Sequence, residues 1–261
     1  LTNTLHAFGD SFIVGDLDDW WHLKDPNVKP KHRMQFDERL EYVKYNVSFV
    51  SILAKHYNYN LKNHAYRGCG NYPQLDRLWT KLTDGTIKSG DVVLVGLTSF
   101  TRDRIALRDF NIVTSEKNGP LLLDRELLAK DADFQRILEL DFYYVANMLT
   151  RFSEQFNIPI IKFNLFDNAL YQASDHIKKI CEVKDFVGYD VPGNTVIDIL
   201  NDTWGQPTTH PHDHKAKAKP GYEHLYTFYG HPSIEGHKKI ADWWITNNII
   251  QNVIENFNKR Y

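Results

Sequence analysis

Four short segments of this chain hold the parts from which an acyl-transfer site is built. They are Gly9-Asp10-Ser11-Phe12, Gly68-Cys69-Gly70-Asn71, Gly96-Leu97-Thr98-Ser99 and, far downstream, Gly230-His231-Pro232-Ser233-Ile234-Glu235-Gly236-His237. A serine hydroxyl is a weak nucleophile until a neighbouring base takes its proton, and a histidine is the usual base. Glycines let main-chain N–H groups come close enough to hold the oxyanion that forms when the serine attacks a carbonyl. Other candidates carry less. Cys69 could be a thiol nucleophile, but a lone small thiol beside glycines reads as a buried filler. His210, His212, Asp213 and His214 could ligate a metal, yet alternating histidines among Pro and Lys read as a solvated loop, so no metal and no cofactor is expected. Trp20 and Trp21 could form a sugar-stacking platform or anchor their own loop. His237 lies inside the last helix and reads as packing or surface.

Such side chains need a scaffold that brings distant segments together. Leu5-His6-Ala7-Phe8 runs straight into Gly9-Asp10-Ser11 and reads as a buried first strand ending in a tight turn. Asn60 to Tyr66 reads as a second strand. Asp91 to Gly96 is an unbroken apolar run, as a parallel strand covered on both faces requires. Ile158 to Phe163 follows, with Pro159 tolerable near its start. Helical spacing appears from Tyr45 to Tyr57, around Leu75 to Leu82, along Phe134, Ile137, Leu138, Val145, Met148, Leu149 and Phe152, and from Ser233 onward through Ile240, Ala241, Trp244 and Ile245. Strands alternating with helices predict an α/β fold, a three-layer α/β/α sandwich on a central, mainly parallel sheet of flavodoxin-like type. The glycine-bearing segments then fall at the carboxyl ends of strands, where ligands bind in such sheets. Residues 16–45 and 203–224 read as long loops, and 1–261 as a single domain.

Bulk properties narrow the function class. With 261 residues and 42% hydrophobic content the chain can bury one sizeable core. Lys+Arg 31 against Asp+Glu 33 gives a net charge of -2, which argues against nucleic acid as the partner. No apolar run reaches the ~20 residues of a membrane span. Cys69 and Cys181 are too few for a disulfide framework. The sequons Asn46-Val47-Ser48 and Asn201-Asp202-Thr203, and a first residue Leu1 that reads as following a cleaved or trimmed segment, leave the compartment open.

Taken in order, the four segments resemble the blocks of the SGNH (GDSL-type) hydrolases, over most of the chain from Gly9 to Ala241. The resemblance implies that Ser11 is the nucleophile and His231 its general base. It assigns the backbone N–H groups of Ser11 and Gly68 to the oxyanion hole, with Thr98 standing where the family has an asparagine donor. It makes Asp10, Asn71, Trp20 and Trp21 candidates for substrate contact. Three residues before His231, where the family has its aspartate, stands Phe228. A main-chain carbonyl, Asp213 or Glu223 would then orient the imidazole. The implied activity is hydrolysis of an ester, with O-acetyl groups on carbohydrate the preferred substrate class. An acyltransferase, or a glycan-binding or structural module within a larger assembly, are the alternatives. The α/β-hydrolase elbow Gly-x-Ser-x-Gly is absent around every serine.

Overall fold

Side chains alternate between the two faces of a strand, and this chain fills both faces with apolar groups. Leu5, Ala7, Val92, Leu94, Ile161 and Phe163 enter one core layer, while Phe8, Val93, Val95, Leu97 and Ile160 enter the other. The computed structural model describes residues 3–15, 17, 36–98, 106–107, 110–111, 132–165, 183–188, 190–191, 193, 195–202, 218, 220–227 and 230–261. The strands are β1 (Thr4–Phe8), β2 (Asn60–Asn63), β3 (Val92–Leu97), the short pair β4 (Ala106–Leu107) and β5 (Phe110–Asn111), β6 (Ile160–Asn164) and β7 (Phe186–Val187). Five of them form one all-parallel sheet in the order β2-β1-β3-β6-β7, and β4 and β5 pair antiparallel apart from it.

Helices cover both faces. On one side pack α1 (Ser11–Val14), α3 (Phe49–His56), α6 (Val196–Asn201), α7 (Ile234–Thr246) and α8 (Ile249–Arg260). Here the rings of Phe163 and Trp244 meet edge to face at 4.9 Å, with Phe49 6.0 Å from Phe163. On the other side lie α4 (Asn71–Thr83) and the long α5 (Ala132–Phe156). Counting only the strands of the large sheet, the order is 2-1-3-4-5. The winding direction therefore reverses between β1 and β3, the point at which sheets of this kind bind ligands beyond the carboxyl ends of their strands.

The α/β class and each anticipated strand are present, with shifted ends. The expected loop at 16–45 is interrupted by α2 (Phe36–Asn46). Leu40, Val43, Lys44 and Val47 recur at three- and four-residue spacing and the last three are buried, so a helix can bury that stripe where a loop could not. The single helix expected from Tyr45 to Tyr57 is divided at Ser48. The Ser48 side chain caps α3 by accepting from Ser51 N, and its hydroxyl donates to Lys44 O at 2.7 Å. The strand expected to reach Tyr66 ends at Asn63, whose side-chain Oδ1 accepts from Ala65 N. Strand β7 and helices α6 and α8 were not anticipated. Asn248, at a φ of 51°, separates α7 from α8 and hides the second helix inside one apolar stretch. Of the loop expected at 203–224, residues 203–217 lie outside the described residues and a 3₁₀ turn begins at Glu223.

Candidate active site

Ser11 begins α1 directly after β1, at the reversal point of the sheet. Asp10 is the N-cap of that helix, and its Oδ1 accepts from Phe12 N at 2.9 Å. The helix can sit this close to the sheet because Gly9 and Gly96 lack side chains. A Cβ on Gly9 would stand 2.1 Å from Ile13 Cγ1, and one on Gly96 2.8 Å from Ile13 Cδ1. Both glycines are thus required by close approach rather than by chemistry.

His231 arrives from the far end of the chain. Its loop is closed by Thr227: Thr227 N donates to His231 O at 2.7 Å, and His231 N donates to Thr227 Oγ1 at 3.2 Å. The loop is docked on α7 by Ser233, which accepts from Gly236 N through Oγ and donates from N to Leu225 O. A Cβ on Gly236 would lie 2.3 Å from Leu225 O, so glycine is needed there for the helix to reach the turn. The outcome is a contact of 2.7 Å between His231 Nε2 and Ser11 Oγ, across 220 positions of sequence. The Phe12 ring packs against the imidazole with centroids 5.4 Å apart. Ser11 itself is 5% exposed.

His237 is fully buried and accepts from Phe49 N through Nδ1, joining α7 to α3. Burial, and secondarily His231, pushes its pKa down to about 3, so it stays neutral and serves as a tie. Its expected role as a packing residue matches this placement.

Three residues expected at the substrate or oxyanion are placed otherwise. The Thr98 hydroxyl donates to Asp10 Oδ2 at 3.0 Å, and Thr98 N donates to Asn71 Oδ1 at 2.9 Å. A hydroxyl has one proton, so both donors of Thr98 are committed within the protein, against the expectation of an oxyanion donor. The Asn71 side chain also donates to Thr98 O at 3.1 Å and is fully buried, as is Asp10. Asp10, Asn71 and Thr98 therefore brace β1, α4 and β3 against one another. Buried polar groups are satisfied in this way wherever they are retained.

Gly68 lies in the turn after β2, at a φ of 65°, with open space where a Cβ would be. That turn runs beside the nucleophile segment, since Tyr66 N donates to Gly9 O at 3.0 Å. Cys69 is buried and its thiol contacts Gly70 O at 3.5 Å, in keeping with a filler role. Glu223 is exposed and its carboxylate accepts from Gly221 N at 2.9 Å, which caps its own turn. Among the described residues no ion pair joins it to His231. Trp20, Trp21, Asp213, Phe228, His210, His212 and His214 lie outside the described residues. Thr227 and Phe12 hold and pack the imidazole. Phe12 stands in the segment around the serine but was given no role there, whereas nothing local in the sequence marks Thr227.

No family model matches this chain, and no curated protein matches it. Among solved structures it is similar to the psychrotrophic esterase EstA from Pseudoalteromonas sp., in a form inhibited by monoethylphosphonate. The identity is 12%, the match covers 98% of this chain and 99% of that one, and the TM-score is 0.45.

Proposed function

We propose that this protein is a serine esterase in which Ser11 is the nucleophile and His231 the general base. The observation that carries this is the 2.7 Å contact between His231 Nε2 and Ser11 Oγ, a nucleophile–base distance of the kind such chemistry requires. In the resting state the Ser11 hydroxyl donates to Nε2. As Oγ attacks the ester carbonyl carbon, the proton passes to Nε2 and the carbonyl oxygen becomes an oxyanion. Main-chain N–H groups of Ser11 and Gly68 hold that oxyanion. His231 then gives the proton to the departing alcohol, leaving an acyl group on Ser11. Water, deprotonated by the same imidazole, attacks the acyl carbon, and collapse returns Ser11 and releases the acid.

The motif resemblance favours O-acetyl groups on carbohydrate as the substrate. The test is a fluorophosphonate probe, which reacts only with an activated serine. Labelling that maps to Ser11 and vanishes in Ser11→Ala supports the proposal, and an unlabelled folded chain refutes it. Acetate release from acetylated oligosaccharides, with and without sugar acceptors, then distinguishes hydrolysis from acyl transfer.

A further inference from the structure

A second group of chemistry-bearing residues, none of them Ser11 or His231, gathers where β1 and β2 meet α4. Asp91 accepts from Thr4 N at 3.0 Å and Lys88 N at 3.1 Å, and its Oδ2 lies 3.3 Å from His6 Nε2. His6 and Asp91 are 0% and 3% exposed. A carboxylate only accepts, so His6 carries its proton on Nε2 and its Nδ1 is an acceptor. That Nδ1 is 3.1 Å from His64 Nε2, which must donate, and His64 Nδ1 is left as a lone pair. The two rings are stacked with centroids 5.3 Å apart.

His64 lines a cavity of about 340 Å³ together with Lys44, Tyr66, Asp76, Arg77 and Lys81. Ligand pockets begin at about this size. Three cations face one carboxylate there, in a chain whose net charge is -2. Lys44 and Lys81 pair with Glu41 at 3.3 Å and Asp84 at 3.6 Å, but both carboxylates stand in solvent, where such pairs are weak. Arg77 has no ion-pair partner among the described residues. Its guanidinium lies 3.7 Å over the Tyr66 ring. Stacking uses the face of the guanidinium and leaves the in-plane N–H donors for a planar or tetrahedral oxyanion.

We propose that this cavity binds a small oxyanion, a phosphate or sulfate group either free or carried on a larger molecule. Arg77 grips it through its in-plane donors, Lys44 and Lys81 neutralise it, and His64 stands beside it. None of these residues belongs to the Ser11 site, so the proposal is independent of esterase activity.

Binding is coupled to a proton. Burial holds the His64 pKa down to about 4, with further lowering from His6, Lys81, Lys62 and Lys44. The groups around it are His6 on β1, Lys62 on β2, Lys44 on α2, Asp76, Arg77 and Lys81 on α4, and Asp91 ahead of β3. An anion among them offsets the field of the lysines and raises the His64 pKa. Nδ1 then takes up a proton and becomes a further donor, so binding tightens as pH falls.

The test is calorimetric titration at low ionic strength with inorganic sulfate, inorganic phosphate and a sugar phosphate, read alongside NMR of the histidine rings. Saturable binding of one equivalent is expected, weakened about tenfold or more in Arg77→Gln and also weakened in Lys81→Gln. Ser11→Ala should bind like the wild type. Sulfate, which does not titrate near neutrality, should bind more tightly at pH ~5 than at pH ~7, with the His64 signals moving. A preference for the free ions identifies an ion as the ligand, and a preference for the sugar phosphate identifies a phosphorylated molecule. Absence of saturable binding by all three overturns the proposal. So does wild-type affinity in both Arg77→Gln and Lys81→Gln with thermal melts showing both folded.

Discussion

Replacing Thr98 by valine separates a brace from a catalyst. The substitution keeps the side-chain shape and removes only the hydroxyl. In the structure that hydroxyl donates to Asp10 Oδ2 at 3.0 Å, and Asp10 is fully buried. A hydrogen bond to a charged group contributes about 1.5–3 kcal/mol, so Thr98→Val should lower stability by about 2 kcal/mol. For a chain of this size that corresponds to a fall in Tm of roughly 4–8 °C. Turnover of p-nitrophenyl acetate should fall by less than about tenfold, because a lost oxyanion donor costs about 10²–10³ in kcat and Thr98 has no donor left to lose at that position. Thr98→Ser, which restores the hydroxyl, should recover most of the Tm. Differential scanning calorimetry and steady-state kinetics on the same preparations provide the comparison. An unchanged Tm together with a loss of about 10² or more in kcat would refute the brace and return Thr98 to the oxyanion hole.

Two further outcomes are expected. His231→Ala should reduce kcat to the same floor as Ser11→Ala, since members of one catalytic unit are non-additive, while Glu223→Gln should leave kcat within about twofold; a Glu223→Gln enzyme as inactive as His231→Ala would make Glu223 the missing acid. Stability should fall as pH drops from 6.5 toward about 3, because folding lowers the pKa of His237 from 6.5 to about 3 and that of His64 to about 4. The sign follows from proton counting: between the folded and unfolded pKa values the unfolded chain binds more protons, so the stability is complete above 6.5 and lost below it. Tm against pH should therefore slope less steeply in His237→Gln than in the wild type, and parallel slopes would remove His237 from the account.

Much of the fold was legible because parallel strands covered on both faces must be continuously apolar, as Val92 to Leu97 is. Element ends were less legible, because they turn on single residues: Ser48 caps α3 with its side chain, and Asn248 breaks the helix through a φ of 51° with no side-chain cap bond. Helix α2 was hidden for a different reason: Lys44 occupies a buried position on its apolar stripe, so the periodicity looks broken in one dimension. Within the site, Ser11 and His231 could be singled out because each sits at a stereotyped place, a strand end and a helix start. The directions of Asp10, Asn71 and Thr98 could not. Sequence shows that polar residues stand at strand ends, but whether they face a ligand or one another is decided by the approach of three backbones.

That inward turn bears on how the proposed reaction is supported. The amide at this end of the sheet is present, but it belongs to Asn71 on α4 and holds both the N–H and the carbonyl of Thr98. The hydroxyl of Thr98 in turn holds the carboxylate whose other oxygen caps the helix that Ser11 begins. A chain of hydrogen bonds thus runs from α4 through β3 to the residue before the nucleophile, across the point where the sheet reverses. With those side chains committed, the proposed reaction relies on main-chain N–H groups to meet the oxyanion. Such donors have no rotamers to lose and need no reorganisation when charge develops. The same economy applies to the base: Thr227 fixes the main chain of His231 from both sides and Phe12 packs its ring. The Ser11–His231 pair is thereby positioned by side chains that bond the backbone on either side of it, and a variant that loosens the brace should raise the disorder of Ser11 before it alters the chemistry of His231.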